Sequence, residues 1–412
     1  MYNEVSDDFK KAIREDVRTV RMVLKITLKN NKKLTYTDNH ILRNSLYINR
    51  RCVSGNNLEF GCLNSSELGA AIKNDYNKRY DFFGATIEPI FGLYIESKNS
   101  YEDVKLGEFI VNKSPTKNHY IHITAFDNMM KFDKKIPVDK YVYDEQRKEY
   151  VFSGCINEFI VQACNDCGVF TDLKSSQLND YPNYNEIFRF SYEYKNLSLT
   201  YRDMLSNALQ LMGAFGYLDE RGYFCIGHFL CKPNGTFTPR DRFSLDYEDY
   251  NIKNFCVEFN QLYSSINNPS EEKFIIDISN NIFLSNTDIT SINSDGTHAG
   301  WDQVKGRLND IVYNNLTQYA RNLRYKSATM DYPGDPTISL GQMLNVNPII
   351  PSLYQYYQTY EEWNGIKGSD LNGLIVGKES DYEYTDFNIL VMEHNWVYRG
   401  KSTIRSFGVN NN

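Results

Sequence analysis

Residues 104–133 constrain this chain more than any other stretch. Ile121, Ile123 and Ala125 alternate with His122, Thr124 and Phe126, the period of two that turns one face of a strand toward a core. A first strand is expected over 106–111 and a second over 120–126, with a turn between them that carries Ser114-Pro115. The second strand ends abruptly at Asp127-Asn128, followed by Met129-Met130. By pattern alone this is a β-hairpin.

The rest of the chain is β-rich with a mixed centre. Phe9, Ile13 and Val17 recur at helical spacing behind Ser6-Asp7-Asp8, which predicts a short helix over 7–17. Val20, Met22, Leu24, Ile26 and Leu28 alternate as a strand over 19–28. Residues 65–72 read as a brief helical turn, and 85–95 as a strand interrupted at Pro89, which suits an edge or a bulge. Residues 134–148 read as a charged linker. Ile156, Phe159, Ile160 and Ala163 form one helical stripe that Gly168 closes. Thr200 to Asp203 reads as a capping box that opens a helix with Leu205, Ala208, Leu209 and Met212 on one face. Residues 217–226 read as a hairpin turning at 219–222. The strongest helical period lies over 302–325, followed by a turn at Pro333-Gly334-Asp335-Pro336 and strands over 374–376, 387–397 and 402–407.

These segments predict an α+β, β-rich fold: two β-barrel or sandwich domains flanking an α+β insert. The expected boundaries are 1–135 for the N-terminal helix and first β-domain and 136–245 for the insert. The second β-domain, with the long helix 302–325, takes 246–412. A length of 412 residues accommodates such a division at roughly 100–200 residues per domain. Both ends of the chain are β-rich and each is marked by a terminal hairpin, so the two are expected to be copies of one building block.

Charge and composition exclude several classes. A net charge of −7 argues against a passive nucleic-acid binder, which needs an excess of Lys and Arg. The first twenty residues are charged and lack an apolar stretch, so no secretion signal is expected, and no run of 18 apolar residues suggests a membrane anchor. Aromatic residues make up 14% of the chain, with 32 Tyr, a type suited to half-buried sheet faces and interfaces.

No catalytic, cofactor-binding or metal residue emerges from the motifs. Cys164 and Cys167 form a C-x-x-C, but no second C-x-x-C completes a zinc set among the Cys at 52, 62, 155, 225, 231 and 256, so buried thiols are the expectation. His119 and His122 are three apart on a strand, where residues face opposite ways and do not share a metal. Asp127 is expected to cap the amides of Asn128 and Met129 rather than act as an acid or base. Asp219 and Glu220 in a turn, and Glu102 and Asp103 ahead of a strand, are read as solvated charges.

Four stretches together resemble the central baseplate hub proteins of phage tails and related contractile particles. They are the helix-to-strand stretch 9–28, the Leu106-Gly107-x-Phe109-x-Val111 … Ile123-x-Ala125-x-Asp127-x-Met129 hairpin, and Thr200-x-Arg202-x-x-Leu205 with residues 217–224. The fourth joins Gly334-Asp335-Pro336 … Leu340-Gly341 to Ile404-x-Ser406-x-Gly408. Gln342 stands where that family commonly has Asp. The resemblance implies a structural, non-enzymatic protein with two tube-like domains per chain and three chains per ring. That pseudo-sixfold ring would adapt a sixfold tail tube to a threefold spike. The implied partners are further copies in a homotrimer, the tail tube protein, the spike protein and the tape measure protein. DNA would pass through an acidic and polar lumen without specific binding. The implied location is the tail baseplate of a virion made in the host cytoplasm. The chain ends after its last β-domain, so no peptidase or receptor-binding region is expected beyond it. A tail-tip cell-wall hydrolase and a receptor- or glycan-binding tail protein are the alternatives.

Overall fold

A computed structural model describes residues 5–15, 17–74, 80–117, 119–145, 148–173, 181–184, 186–191, 199–229, 235–237, 245–248, 254–258, 273–278, 281–285, 291–292, 298–299, 301–311, 317–318, 322–323, 325, 327–346 and 387–408. The fold is α+β and rich in strands, as the patterns predict. The expected strand over 374–376 lies outside the described residues.

Helix α1 (Asp7–Ala12) opens on Ser6, whose hydroxyl accepts from the Phe9 amide. Strands β1 (Val20–Thr27), β2 (Lys33–Thr37), β3 (Tyr47–Arg51), β4 (Glu67–Lys73), β5 (Thr86–Ile95), β6 (Ser100–Lys105), β7 (Phe109–Lys113), β8 (Thr116–Lys117) and β9 (Tyr120–Asp127) follow. Their inward positions build one core from Met22, Leu24, Ile26, Ile48, Leu68, Ile87, Phe91, Phe109 and Ile123. Pro89 interrupts nothing in β5. It falls where the far edge of β5 changes partner, from β7 at residues 86–87 to β6 at residues 90–95, so its missing N–H breaks no ladder.

The centre of the chain builds a second core. It holds β10 (Val142–Asp144), β11 (Glu149–Cys155), α2 (Ile156–Cys167), β12 (Ile187–Ser191), α3 (Tyr201–Leu211), β13 (Phe215–Leu218) and β14 (Phe224–Gly227). Thr200 caps α3 as expected, accepting from the Asp203 amide while the Asp203 carboxylate accepts from the Thr200 amide. Gly168 ends α2 with φ +62°, a left-handed position that costs glycine little.

The last stretch holds β15 (Gly235–Phe237), β16 (Leu245–Glu248), β17 (Asn254–Glu258), β18 (Lys273–Asp277), β19 (Ser291–Ile292), β20 (His298–Ala299), α4 (Trp301–Ile311), β21 (Thr317–Gln318), β22 (Asn322–Leu323), β23 (Ser327–Tyr332), β24 (Met343–Val346), β25 (Phe387–Leu390), β26 (Glu393–Val397) and β27 (Ser402–Ser406).

Further expectations need correction. The strand expected over 387–397 is two, since β25 and β26 belong to different sheets. Residues 65–72 are not helical; they enter β4, which is buried on both faces and so shows no strand alternation. The first helix stops at Ala12, and Val17 is 86% exposed, off the apolar stripe. Residues 142–144 of the supposed linker are a strand of the insert, paired with β11. The helix expected over 302–325 ends at Ile311, and 317–323 holds the β21–β22 hairpin instead. Asn and β-branched residues crowd its expected second half and are weak helix formers. Val304 and Leu308 of α4 pack into the insert core beside Phe159 and Met212, not into the last β-unit.

The main sheet contains a repeat that the amino-acid sequence conceals. Its strands run β16-β23-β27-β26-β3-β4-β9-β7-β5-β1-β2. The first four and the next four are two antiparallel quartets with one connectivity, in which the third and fourth strands of each, in chain order, swap places. The equivalence extends to single hydrogen bonds. In the first module the Gly84 amide donates to Val111 O (2.8 Å), the Val111 amide to Ala85 O (2.9 Å) and the Ala85 amide to Phe82 O (2.9 Å). In the second the Gly341 amide donates to Val391 O (2.8 Å), the Val391 amide to Gln342 O (2.9 Å) and the Gln342 amide to Ser339 O (3.4 Å). The two glycines share φ values of +70° and +71°.

Alanine at these matched glycines is expected to cost unequal amounts. A Cβ at Gly341 would lie 2.3 Å from the His228 carbonyl oxygen and 2.8 Å from the Phe215 ring, neither free to move. At Gly84 the nearest atoms belong to the end of the Lys29 side chain, at 2.3 Å, which can swing away. Both variants bear the left-handed strain of about 1 kcal/mol. Gly341→Ala should lose at least about 2 kcal/mol more, as measured by urea midpoints; equal losses would contradict the packing described here.

Candidate functional site

The two quartets meet where β26 pairs with β3: Glu393 faces Arg51, His394 faces Arg50, Asn395 faces Asn49, Trp396 faces Ile48 and Val397 faces Tyr47. Residues more than three hundred positions apart thus form one sheet. Trp396 and Tyr398 belong to the core of the first module, with the Trp396 ring edge-on to Phe91 at 5.7 Å. Both ends of the joint are tied. The Cys52 amide donates to Met392 O (2.9 Å), and the Tyr398 hydroxyl bonds the Asp38 carboxylate. Arg399 donates to Val20 O (2.9 Å), and Arg18 donates to Gly334 O (2.8 Å) and Pro333 O (3.1 Å), anchoring the Gly-Asp-Pro turn to the first module.

The core side of the joint holds a polar group that the sequence reading did not single out. His394 is 1% exposed, and its Nε2 is hydrogen-bonded to the Tyr332 hydroxyl (2.7 Å). Arg50, its buried neighbour across the joint, donates to Leu106 O (2.6 Å). Burial first, and then the Arg50 charge, push the imidazole from its ordinary 6.5 to about 3. The unfolded chain therefore binds a proton near pH 6.5 that the folded chain refuses. The stability due to neutral His394 is complete above pH 6.5 and is lost as pH falls from there toward 3. Asp127 works the other way below about 6, since burial raises its carboxyl to that value. Comparing wild type with His394→Gln cancels the Asp127 contribution. Between pH 7 and 4 the wild type should lose about 2–3 kcal/mol more than the variant by urea unfolding, and parallel pH profiles would sink the assignment.

The opposite side of the joined quartets is a continuous polar face. Thr329, Arg405, Glu393 and Arg51 lie in one row across the strands, and Asp331, Thr403, Asn395, Asn49, Glu67 and Phe126 in the next. Its charges neutralise one another. Glu393 lies 3.5 Å from both Arg51 and Arg405, Lys401 bonds Asp331 (2.6 Å), and the Tyr47 hydroxyl donates to Glu67 (2.5 Å). The face is mixed and largely neutral. Such a surface offers phosphate little net attraction and little net repulsion.

A second contact fixes the insert to the first module. Arg202, on the first turn of α3, donates to Leu63 O, to Met129 O (2.8 Å) and to the Asp133 carboxylate. The Thr-x-Arg-x-x-Leu motif thus reads as a cap, a clamp and a core residue, since Leu205 is fully buried.

The residues weighed from sequence are scattered. Asp127 does cap Met129 (3.1 Å), but its second oxygen accepts from the Ser66 amide (2.9 Å) and not from Asn128. Cys164 is buried and Cys167 half-buried on α2, and burial raises both thiols, Cys164 to about 12 and Cys167 to about 11. His119 sits in the hairpin turn at φ +67°, and His122 is exposed on the polar side of β9. Asp219 is not a solvated charge. It is buried, accepting from the Arg221 and Tyr223 amides (both 2.9 Å) and from the Arg221 guanidinium. Glu102 also has a role the sequence hid: it accepts from the Ser6 amide (2.8 Å) and hydroxyl (2.5 Å), pinning α1.

No protein-family model and no curated protein matches this chain. Among solved structures, it is similar to the 43 kDa tail protein of prophage MuSo2 from Shewanella oneidensis, at 11% identity, with 95% of this chain and 97% of that chain covered and a TM-score of 0.49. It is similar also to a tail protein from Neisseria meningitidis MC58, at 9% identity, with 94% and 96% covered and a TM-score of 0.46. A chain of a native gene transfer agent virion matches 36% of this chain and 58% of its own length, at 11% identity and a TM-score of 0.21.

Proposed function

We propose that this chain is a structural ring component of a phage tail or phage-tail-like particle, the hub at the tail tip that adapts a sixfold tube to a threefold spike. One observation carries the reading: two quartets of identical connectivity, joined edge to edge in series, with one polar face running across both. A module whose sheet continues into the next is what a closed barrel is made of, because closure removes open strand edges. Three copies would bring six modules and twenty-four strands. At a strand spacing of about 4.8 Å and a tilt of about 40°, that barrel spans about 50 Å between backbones, and about 35–40 Å between side chains. A lumen of this width passes a DNA duplex or a tape measure protein, and a near-neutral lining holds neither.

Two modules alike in topology but unlike in sequence give the ring a sixfold outline with threefold detail. That supports a tube protein on one side and a spike on the other. The role is structural and not catalytic: Asp127 and Asp219, two buried acids that line one small pocket, are both engaged in capping and turn contacts. The purified full-length chain should sediment as three chains. A monomer at every concentration tested would overturn the ring.

A further inference from the structure

The joint inside one chain is a template for a joint between chains. The matched glycine turns align Val111 with Val391, and the ladders that follow align Lys113 with Glu393 and Thr124 with Arg405. Residues 113–117 of the first module therefore stand where β26 stands in the second. By the same register, Leu68 corresponds to Ala328 and Ile48 to Tyr247, so β16 stands in the second module where β3 stands in the first. Within the chain, β26 and β3 are paired. Their counterparts are not: among the described residues β8 pairs only with β9, and β16 only with β23.

Resting on the ring reading above, we propose that the outer edge of residues 113–117 pairs with β16 of a second copy of this chain, in the register that β26 makes with β3. That register sets Lys117 opposite Asp246, Thr116 opposite Tyr247 and Pro115 opposite Glu248. Two further features fit. Lys113 and Lys117 are exposed on the hairpin, while the Leu-Asp-Tyr-Glu sequence of β16 supplies two acids, so the edges carry opposite charge. Pro115 gives its carbonyl to the His122 amide (2.8 Å), so its backbone faces β9. The missing N–H of proline is therefore on the inner side and leaves the outer edge whole. The two edges differ, so the contact is head-to-tail, and it ends only when the chains close on themselves.

Directly opposed residues place their Cβ atoms about 4.5–5.5 Å apart, close to disulfide reach. The full-length Lys117→Cys/Asp246→Cys protein, treated with a mild oxidant, should yield a covalent three-chain species on a non-reducing gel. Each single variant and the register-shifted Lys117→Cys/Tyr247→Cys pair should yield none. A protein that sediments as a trimer yet forms no such bond overturns this joint and leaves the ring standing. A bond in the shifted pair overturns the register, and a monomer at all concentrations overturns both claims. Wild-type protein gives an independent reading. The amides that face the joint in this register, those of Ser114, Thr116, Leu245 and Tyr247, should exchange at least tenfold faster on dilution to monomer, and unchanged exchange at all four in a dissociating trimer contradicts the joint.

Discussion

Replacing Trp396 by alanine is expected to lower the free energy of unfolding by about 3–5 kcal/mol, the range for emptying a buried Trp site. The residue sits on β26 of the second module, yet its ring, 2% exposed, fills the core of the first beside Phe91 and Tyr398. Its loss therefore removes packing from one module and the anchor that holds the other to it. Urea unfolding should show a lower midpoint and also a broader or split transition, since the two quartets would no longer melt as one unit. A midpoint unchanged within about 0.5 kcal/mol would mean that the joint does not couple the two halves.

Arg202→Ala should cost about 3 kcal/mol, because it strips three acceptors at once from one partly buried guanidinium. The Leu63 and Met129 carbonyls lose a charged donor, and the Asp133 carboxylate loses its partner. Asp133 is well exposed, so its share is small after solvent screening, and the carbonyls carry most of the effect. Lysine at this position should recover less than half the loss, since a single ammonium cannot span acceptors that a planar fork reaches together. The variants are distinguished by their thermal midpoints. Full stability in Arg202→Ala would show that hydrophobic packing alone seats the insert.

Local chemistry was legible in the sequence. The alternation of β1 and β9, the capping box at Thr200 and the left-handed end at Gly168 all appear where the pattern puts them. What failed was where burial erased the pattern or a distant partner set it. In β4 the run Leu68 to Ile72 is enclosed on both faces, so it carries no period of two. The turn at Asp219 reads as solvent-exposed until the fold closes over it. The repeat was expected from two β-rich ends, but its real signature lies in backbone hydrogen bonds. Phe82-Phe83-Gly84-Ala85 and Ser339-Leu340-Gly341-Gln342 share only their glycine, the one position where φ admits little else. The joint was illegible for a related reason: nothing near Trp396 in the sequence says that its pocket is built by residues 20–125.

The most direct test of the repeat-and-ring account is electron microscopy of the purified full-length chain, averaged in views down the particle axis. The account predicts a closed annulus with threefold symmetry, six near-equal lobes and a central opening about 35–40 Å wide, the span set by twenty-four tilted strands. Open filaments, twofold dimers or rings with any other number of lobes would contradict it.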